Sequence, residues 1–224
     1  MTGLSAKTAI VYFSATGTTE RMAKNAAQAM EADIFEIQPL HKYTSADLNW
    51  HDKKSLTSIE CNDPKSRPEI KAVVSDGSAT SGSANIGSTS SGSANTGSVS
   101  SGPASSGSGN DVAAYSSSFS AGSASSNSAS TGIKGNFDIS DYDTVVLCYP
   151  IWWAYAPKIV YTFVESQNWA GKKMITLCTS GGSGLGRSGS DLAKFAKGAD
   201  FKGGKDFTRG SGADIKKYVE RMLK

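Results

Sequence analysis

A chain of 224 residues has room for one or two domains. Residues 75–135 are dominated by Ser, Gly, Ala and Asn, and setting them aside leaves roughly 160 residues, the size of a single α/β domain with a sizeable core. The net charge is +3, and the 23 Lys and Arg are spread along the chain rather than run together, which argues against nucleic acid as the main partner. Cys61, Cys148 and Cys178 are odd in number, widely spaced and without a Cys-x-x-Cys pair, so they read as thiols rather than as disulfide or metal partners; His41 and His51 add little to a metal site. No stretch reaches the roughly 18 apolar residues of a membrane span, and the opening MTGLSAK has no apolar signal core, so a reducing cytoplasm is the expected compartment.

In chain order, residues 8–13 form a short apolar run that breaks into a hydroxyl-rich turn, Ser14-Ala15-Thr16-Gly17-Thr18-Thr19, and then into good helix formers over 20–30. This is strand, loop, helix. Backbone N–H groups and the positive end of a helix dipole converge on such a loop, and with the hydroxyls they suit a phosphate monoester. A plain N-cap supplied by Thr18 or Thr19 is the competing reading. Residues 33–37 alternate as a second strand, halted by Pro39, which calls for a parallel pair with a right-handed crossover. Through 40–72, Tyr43, Leu48, Trp50, Leu56 and Ile59 are spaced irregularly and Pro64 and Pro68 interrupt regular structure, so a long loop with short helical pieces is expected there.

A ten-residue repeat follows over 81–90, 91–100 and, decayed, 101–110. Few large apolar side chains offset its ordering entropy, so residues 75–135 are expected to form a flexible, disordered tether inserted into one domain whose core is 7–74 and 136–224. Regular structure resumes with an apolar strand over 142–148, which runs into Tyr149, Pro150, Ile151, Trp152, Trp153, Ala154 and Tyr155. A helix over 159–165 precedes a strand over 174–179, and this strand ends in Thr179-Ser180-Gly181-Gly182-Ser183-Gly184. A helix over 190–197, a weak strand over 201–207 and an amphipathic helix over 213–223 complete the chain.

Five strands alternating with helices place the three rich loops on the carboxyl edge of one parallel sheet, where ligands of open α/β folds bind. The first loop suits a phosphate, the second offers aromatic faces to a flat ring, and the third brings backbone N–H groups to a polar heterocycle edge. Flavin mononucleotide (FMN) has those three features. The Gly184–Gly189 match to G-x-G-x-x-G does not open a βαβ unit and is set aside as a chance match.

The loop 14–19, the Pro150-Ile151-Trp152-Trp153 segment and the Thr179–Gly184 loop together resemble the flavodoxin family, over residues 7–72 and 137–224. The resemblance implies a flavodoxin-like three-layer α/β sandwich, a five-stranded parallel sheet of order 2-1-3-4-5, and non-covalent FMN. Carried over by position, Ser14, Ala15, Thr16, Gly17, Thr18 and Thr19 hold the phosphate. Pro150, Ile151, Trp152 and Trp153 pack on the ring, and Thr179, Ser180, Gly181, Gly182, Ser183 and Gly184 meet its pyrimidine edge. It also implies electron carriage between a reductase and an acceptor protein. The alternatives are an FMN-dependent NAD(P)H:quinone oxidoreductase and a non-catalytic interaction module. The sequence departs from the family pattern in its mildly basic charge, in the Ser/Gly-rich insertion, and at Ala154. That residue stands where a Gly often lets the loop peptide flip, and a Cβ disfavours positive φ.

Overall fold

Apolar runs that alternate about a sheet plane dominate the fold. In strand β1, Thr8–Tyr12, Ala9 and Val11 point to one face and Ile10 and Tyr12 to the other, and all four are fully buried. A computed structural model of the protein describes residues 6–76 and 137–224. After β1 come helix α1, Thr18–Met30; β2, Asp33–Pro39; α2, Leu56–Asn62; and β3, Ile70–Ser75. The second segment contains β4, Thr144–Pro150; α3, Lys158–Ser166; β5, Lys173–Thr179; α4, Ser188–Ala193; β6, Asp200–Asp206; and α5, Gly212–Leu223.

The sheet has six strands in the order β3-β2-β1-β4-β5-β6. Strands β2, β1, β4, β5 and β6 pair in parallel, whereas β3 runs antiparallel to β2 with Phe35 opposite Ser75 and Ile37 opposite Val73. The expected five-stranded, all-parallel sheet of order 2-1-3-4-5 is therefore corrected by this extra edge strand. Lys71 and Ser75 of β3 are exposed, Pro68 precedes it and low-complexity sequence follows it, so its short alternation did not stand out. Helices cover both faces, giving three layers. Val11, Val145 and Leu147 pack with Ile159 and Phe163 of α3 on one side, and Ile10, Val146 and Ile175 with Ala23 of α1 and Ile215 of α5 on the other.

At the end of β3, the Asp76 N–H donates to the Ile34 carbonyl at 3.0 Å. The chain returns beside the same strand, with the Phe137 ring 4.2 Å from that of Phe35. Residues 77–136, and with them the expected disordered tether and its repeats, lie outside the described residues. Among the described residues no helix is long and apolar enough to cross a membrane.

Candidate functional site

All the parallel strands end at one edge, so the loops after β1, β2, β4 and β5 meet there. Between them lies a cavity of about 400 Å³, within the range of small-molecule sites. The β1 loop contributes Ala15, Thr16, Thr18 and Thr19, the β4 loop Pro150, Ile151, Trp152 and Trp153, and β5 its last residue, Thr179. Two further lining residues, Leu48 and Trp50, come from the long connection between β2 and α2, and a third, Thr57, from the first turn of α2. Sequence reasoning saw that connection as a loop packed by aromatics but not as part of the site. Its irregular spacing carries no period, and only the tryptophan in a polar run hinted at more.

The phosphate-binding reading rests on how α1 begins. Gly17 is its N-cap, with φ 84°, a left-handed conformation that a Cβ would strain, and no side chain caps the helix. Thr18 and Thr19 are therefore not the caps that the competing reading required. Ser14 Oγ accepts the Gly17 N–H at 3.1 Å and fixes the turn. The N–H groups of Ala15, Thr16, Thr18, Thr19 and Glu20 meet no acceptor among the described residues, so five donors are left unpaired around a helix N-terminus beside the cavity. The Thr19 hydroxyl is turned elsewhere. It is buried and bonded to Thr179 Oγ1 at 2.7 Å, which ties the β1 loop to the end of β5 rather than serving a ligand.

Aromatic contacts set the wall. Trp152 lies edge-to-face against Phe13, with ring centroids 5.7 Å apart, and against Tyr43 at 5.3 Å. Tyr43 in turn donates its hydroxyl hydrogen to Glu60, a buried carboxylate, at 2.9 Å. Burial raises the Glu60 pKa, and the Tyr43 hydrogen bond opposes that rise. Asp47 pins the connection at its start. It accepts the Thr44 N–H at 2.8 Å and the Thr44 hydroxyl at 2.8 Å, and lies 3.0 Å from His41 Nε2, which together hold its carboxyl down at about 2. The turn after Trp152 is tight: Trp152 and Tyr155 exchange both backbone hydrogen bonds at 2.9 Å, and Trp153 and Ala154 between them have φ of 48° and 66°. The Cβ of Ala154 has thus not kept that residue from the left-handed region.

The third loop is placed differently from the expectation. Only Thr179 reaches the cavity. Ser180, Gly181 and Gly182 line a separate hollow with Asp206, Thr208 and Arg209, and Ser183 and Gly184 line neither. Ser180 Oγ accepts the N–H groups of Gly182 (3.1 Å) and Gly184 (3.0 Å) and donates to Asp206 Oδ2 at 2.5 Å. Burial pulls the Asp206 pKa up, but hydrogen bonds from Ser180 and from the N–H and hydroxyl of Thr208 outweigh it and hold the carboxyl below its ordinary range.

The flavodoxin family model matches residues 7–91 and 110–222. This chain belongs to the flavodoxin family. Among solved structures, a provisionally named flavoprotein from Bacteroides eggerthii is 30% identical with a TM-score of 0.66, over 98% of this chain and 99% of that one. A second, from Bacteroides uniformis, is also 30% identical, with a TM-score of 0.65 over 97% and 99%. A flavoprotein from Lactobacillus acidophilus, solved in complex with FMN, shares the fold at 16% identity, with a TM-score of 0.55 over 98% and 100%. Among curated proteins none matches this sequence. For a flavodoxin-family chain the two positive-φ residues at 153 and 154 are notable, because no glycine relieves that turn.

Proposed function

We propose that this flavodoxin-family protein binds FMN in the cavity described above and transfers electrons between redox partners. The observation that supports it most is the coincidence of two features: an uncapped helix N-terminus with five N–H donors unpaired among the described residues, and an adjoining aromatic-walled cavity of about 400 Å³. The N–H groups and the Thr16 and Thr18 hydroxyls fit a phosphate monoester. Trp152 and Trp153 with Ile151 and Pro150 fit a planar ring. The neighbour from Lactobacillus acidophilus, crystallised with FMN, supports the same ligand.

When bound, the flavin would supply the redox chemistry, and the protein would set its exposure and electrostatics. The chain's own part is to hold the phosphate end by backbone N–H groups and hydroxyls, and to shield one side of the ring by apolar surface. No charged side chain lines this cavity, which favours an electron carrier over an enzyme that binds a charged co-substrate.

The test is an FMN titration of the apoprotein, followed by turnover assays on the loaded protein. Submicromolar binding with a change in flavin fluorescence is expected, together with slow reaction with NADPH plus a quinone. A protein that stays colourless in excess FMN overturns the cofactor assignment. Turnover of NADPH and quinone at enzymatic rates overturns the carrier role.

A further inference from the structure

Behind the cavity wall, the aromatic contacts lead inward to a buried acid. Trp152 lines the cavity and meets Tyr43 edge-to-face, with ring centroids 5.3 Å apart. The Tyr43 hydroxyl donates to Glu60 Oε2 at 2.9 Å, and the two residues are only 8% and 7% exposed. Packing alone does not call for this pair. Phe13 touches the same two rings, at 5.8 Å from Tyr43 and 5.7 Å from Trp152, without any polar atom. A lone carboxylate is costly to bury, and no lysine or arginine pairs with Glu60 among the described residues.

The chemistry of the two aromatic side chains differs in one respect. Loss of an electron makes a phenol strongly acidic, so tyrosine is oxidised readily only where a base takes its proton in the same step. Glu60 is in place as that base. Burial raises its pKa, which makes the carboxylate a stronger proton acceptor; of the groups facing it, the Tyr43 hydrogen bond and His41 pull the other way and Asp47 adds to the rise. Trp152 has no such partner. Among the described residues only Trp169 donates its indole N–H, to the Val164 carbonyl at 2.7 Å, so an oxidised Trp152 cannot be settled by passing its proton to the protein. It is settled by an electron from the ring it touches, that of Tyr43.

Resting on the FMN reading, we infer that Tyr43 and Glu60 form a proton-coupled electron donor that serves the cavity through Trp152. The oxidant is the flavin when excited by blue light. One electron leaves Trp152 for the flavin, one electron moves from Tyr43 to Trp152, and the Tyr43 O–H bond breaks as its proton passes to Glu60 Oε2. The products are a neutral tyrosyl radical, a protonated Glu60, a restored Trp152 and a flavin with one added electron. When that electron returns to Tyr43 and the proton returns from Glu60, every group is as it began. The relay thus discharges an excited flavin without consuming a side chain. Phe13 cannot replace Tyr43 in it, because its ring has no O–H to release.

The test excites the FMN-loaded full chain with a blue pulse and follows the narrow tyrosyl band by transient absorption. The band is expected in the natural protein and in Tyr155→Phe, which removes an exposed tyrosine from the same turn as Trp152. It should be absent in Tyr43→Phe, which keeps the ring. Its formation should be at least about tenfold slower in Glu60→Gln, which keeps the shape but not the base, and slower in D2O than in H2O for the natural protein. No tyrosyl band, an undiminished band in Tyr43→Phe, or a rate indifferent to both D2O and Glu60→Gln overturns the inference. The D2O comparison needs no variant and holds even if a substitution disturbs folding.

A second arm needs no flavin. Azide radicals, small enough to enter the cavity, oxidise indole rings in the apoprotein after pulse radiolysis. Tyrosyl absorbance should then grow as indolyl absorbance decays, with a smaller yield in both Tyr43→Phe and Trp152→Phe; an unchanged yield in both overturns the relay. The FMN titration keeps the two proposals apart. No FMN uptake with an intact azide result removes the cofactor reading alone, whereas FMN uptake without a Tyr43 radical removes the relay alone.

Discussion

The loop after β1 and the loop after β5 are built from nearly the same residues, Ser14-Ala15-Thr16-Gly17 and Ser180-Gly181-Gly182-Ser183-Gly184, yet their backbone donors are in opposite states. In the first, Ser14 takes one N–H and five others have no partner among the described residues. In the second, Ser180 takes two and is itself held by Asp206. The difference lies behind the loops. A carboxylate under the β5 loop orients the serine hydroxyl so that its lone pairs face the glycine N–H groups. The β1 loop has no such acceptor, because Glu20 is turned to Lys24. Hydroxyl and glycine content alone therefore does not decide which loop is ready for an anion.

The sharpest way to break this comparison is Thr16→Ala/Thr18→Ala. If the β1 loop is the phosphate site, losing two hydroxyls at about 1.5 kcal/mol each costs FMN roughly a hundredfold in affinity, measured by fluorescence titration, while riboflavin, which lacks the phosphate, binds as before. Equal losses for both ligands would place the phosphate elsewhere.

A smaller effect is expected from Ser180→Ala, and of a different kind. It leaves Asp206 and two N–H groups short of a partner, so stability falls by about 1.5–3 kcal/mol, seen as a lower urea midpoint, with FMN affinity changed less than twofold. A large loss of affinity instead would return this loop to the binding site. The pH dependence follows from the same carboxylate. Because Asp206 is held below its ordinary 3.8 in the folded state, its contribution is full above that range and disappears as pH falls through the lower, folded value. The stability gap between the natural protein and Asp206→Asn should thus be constant from pH 7 to about 5 and close below about pH 4.

The smallest effect expected is a gain. Ala154→Gly relieves a left-handed Cβ at φ 66°, and after the added freedom of the unfolded glycine is subtracted it should stabilise by about 0.5 kcal/mol, a rise in Tm of one or two degrees. A loss would mean that the Ala154 methyl packs usefully, and the turn would then be held by its contacts rather than merely tolerated.

Much of this was legible beforehand, for physical reasons. Continuous apolar runs such as Val145–Cys148 can only be interior strands, and the stripe of Ile215, Tyr218 and Val219 has to face a sheet. Loops at the carboxyl ends of parallel strands must converge, so the sequence places the loops at Thr16, Trp152 and Gly182 together, although of the third loop only Thr179 reaches the cavity. What escaped was set by contacts far apart in sequence. Nothing near Ser180 foretells Asp206 beneath it. Nothing near Leu48 or Trp50 says that their polar, aperiodic segment folds back over the cavity, since the bonds that return it, such as Thr57 Oγ1 to the Asp47 carbonyl at 2.6 Å, have no local pattern.

The antiparallel edge strand has a topological consequence. A chain leaving β2 is at the carboxyl edge, but β4 must start at the amino edge. By running backward, β3 makes that return trip itself, delivering Asp76 next to Ile34 and leaving Phe137 to rejoin beside Phe35. Asp76 and Phe137 are thus both anchored to neighbouring residues of β2, so the segment between them leaves and rejoins the sheet at one strand. A linker of a few residues, or a foreign domain with neighbouring termini, can replace 77–136 there without rerouting the strands, because the entropy of closing such a joint changes only logarithmically with its length.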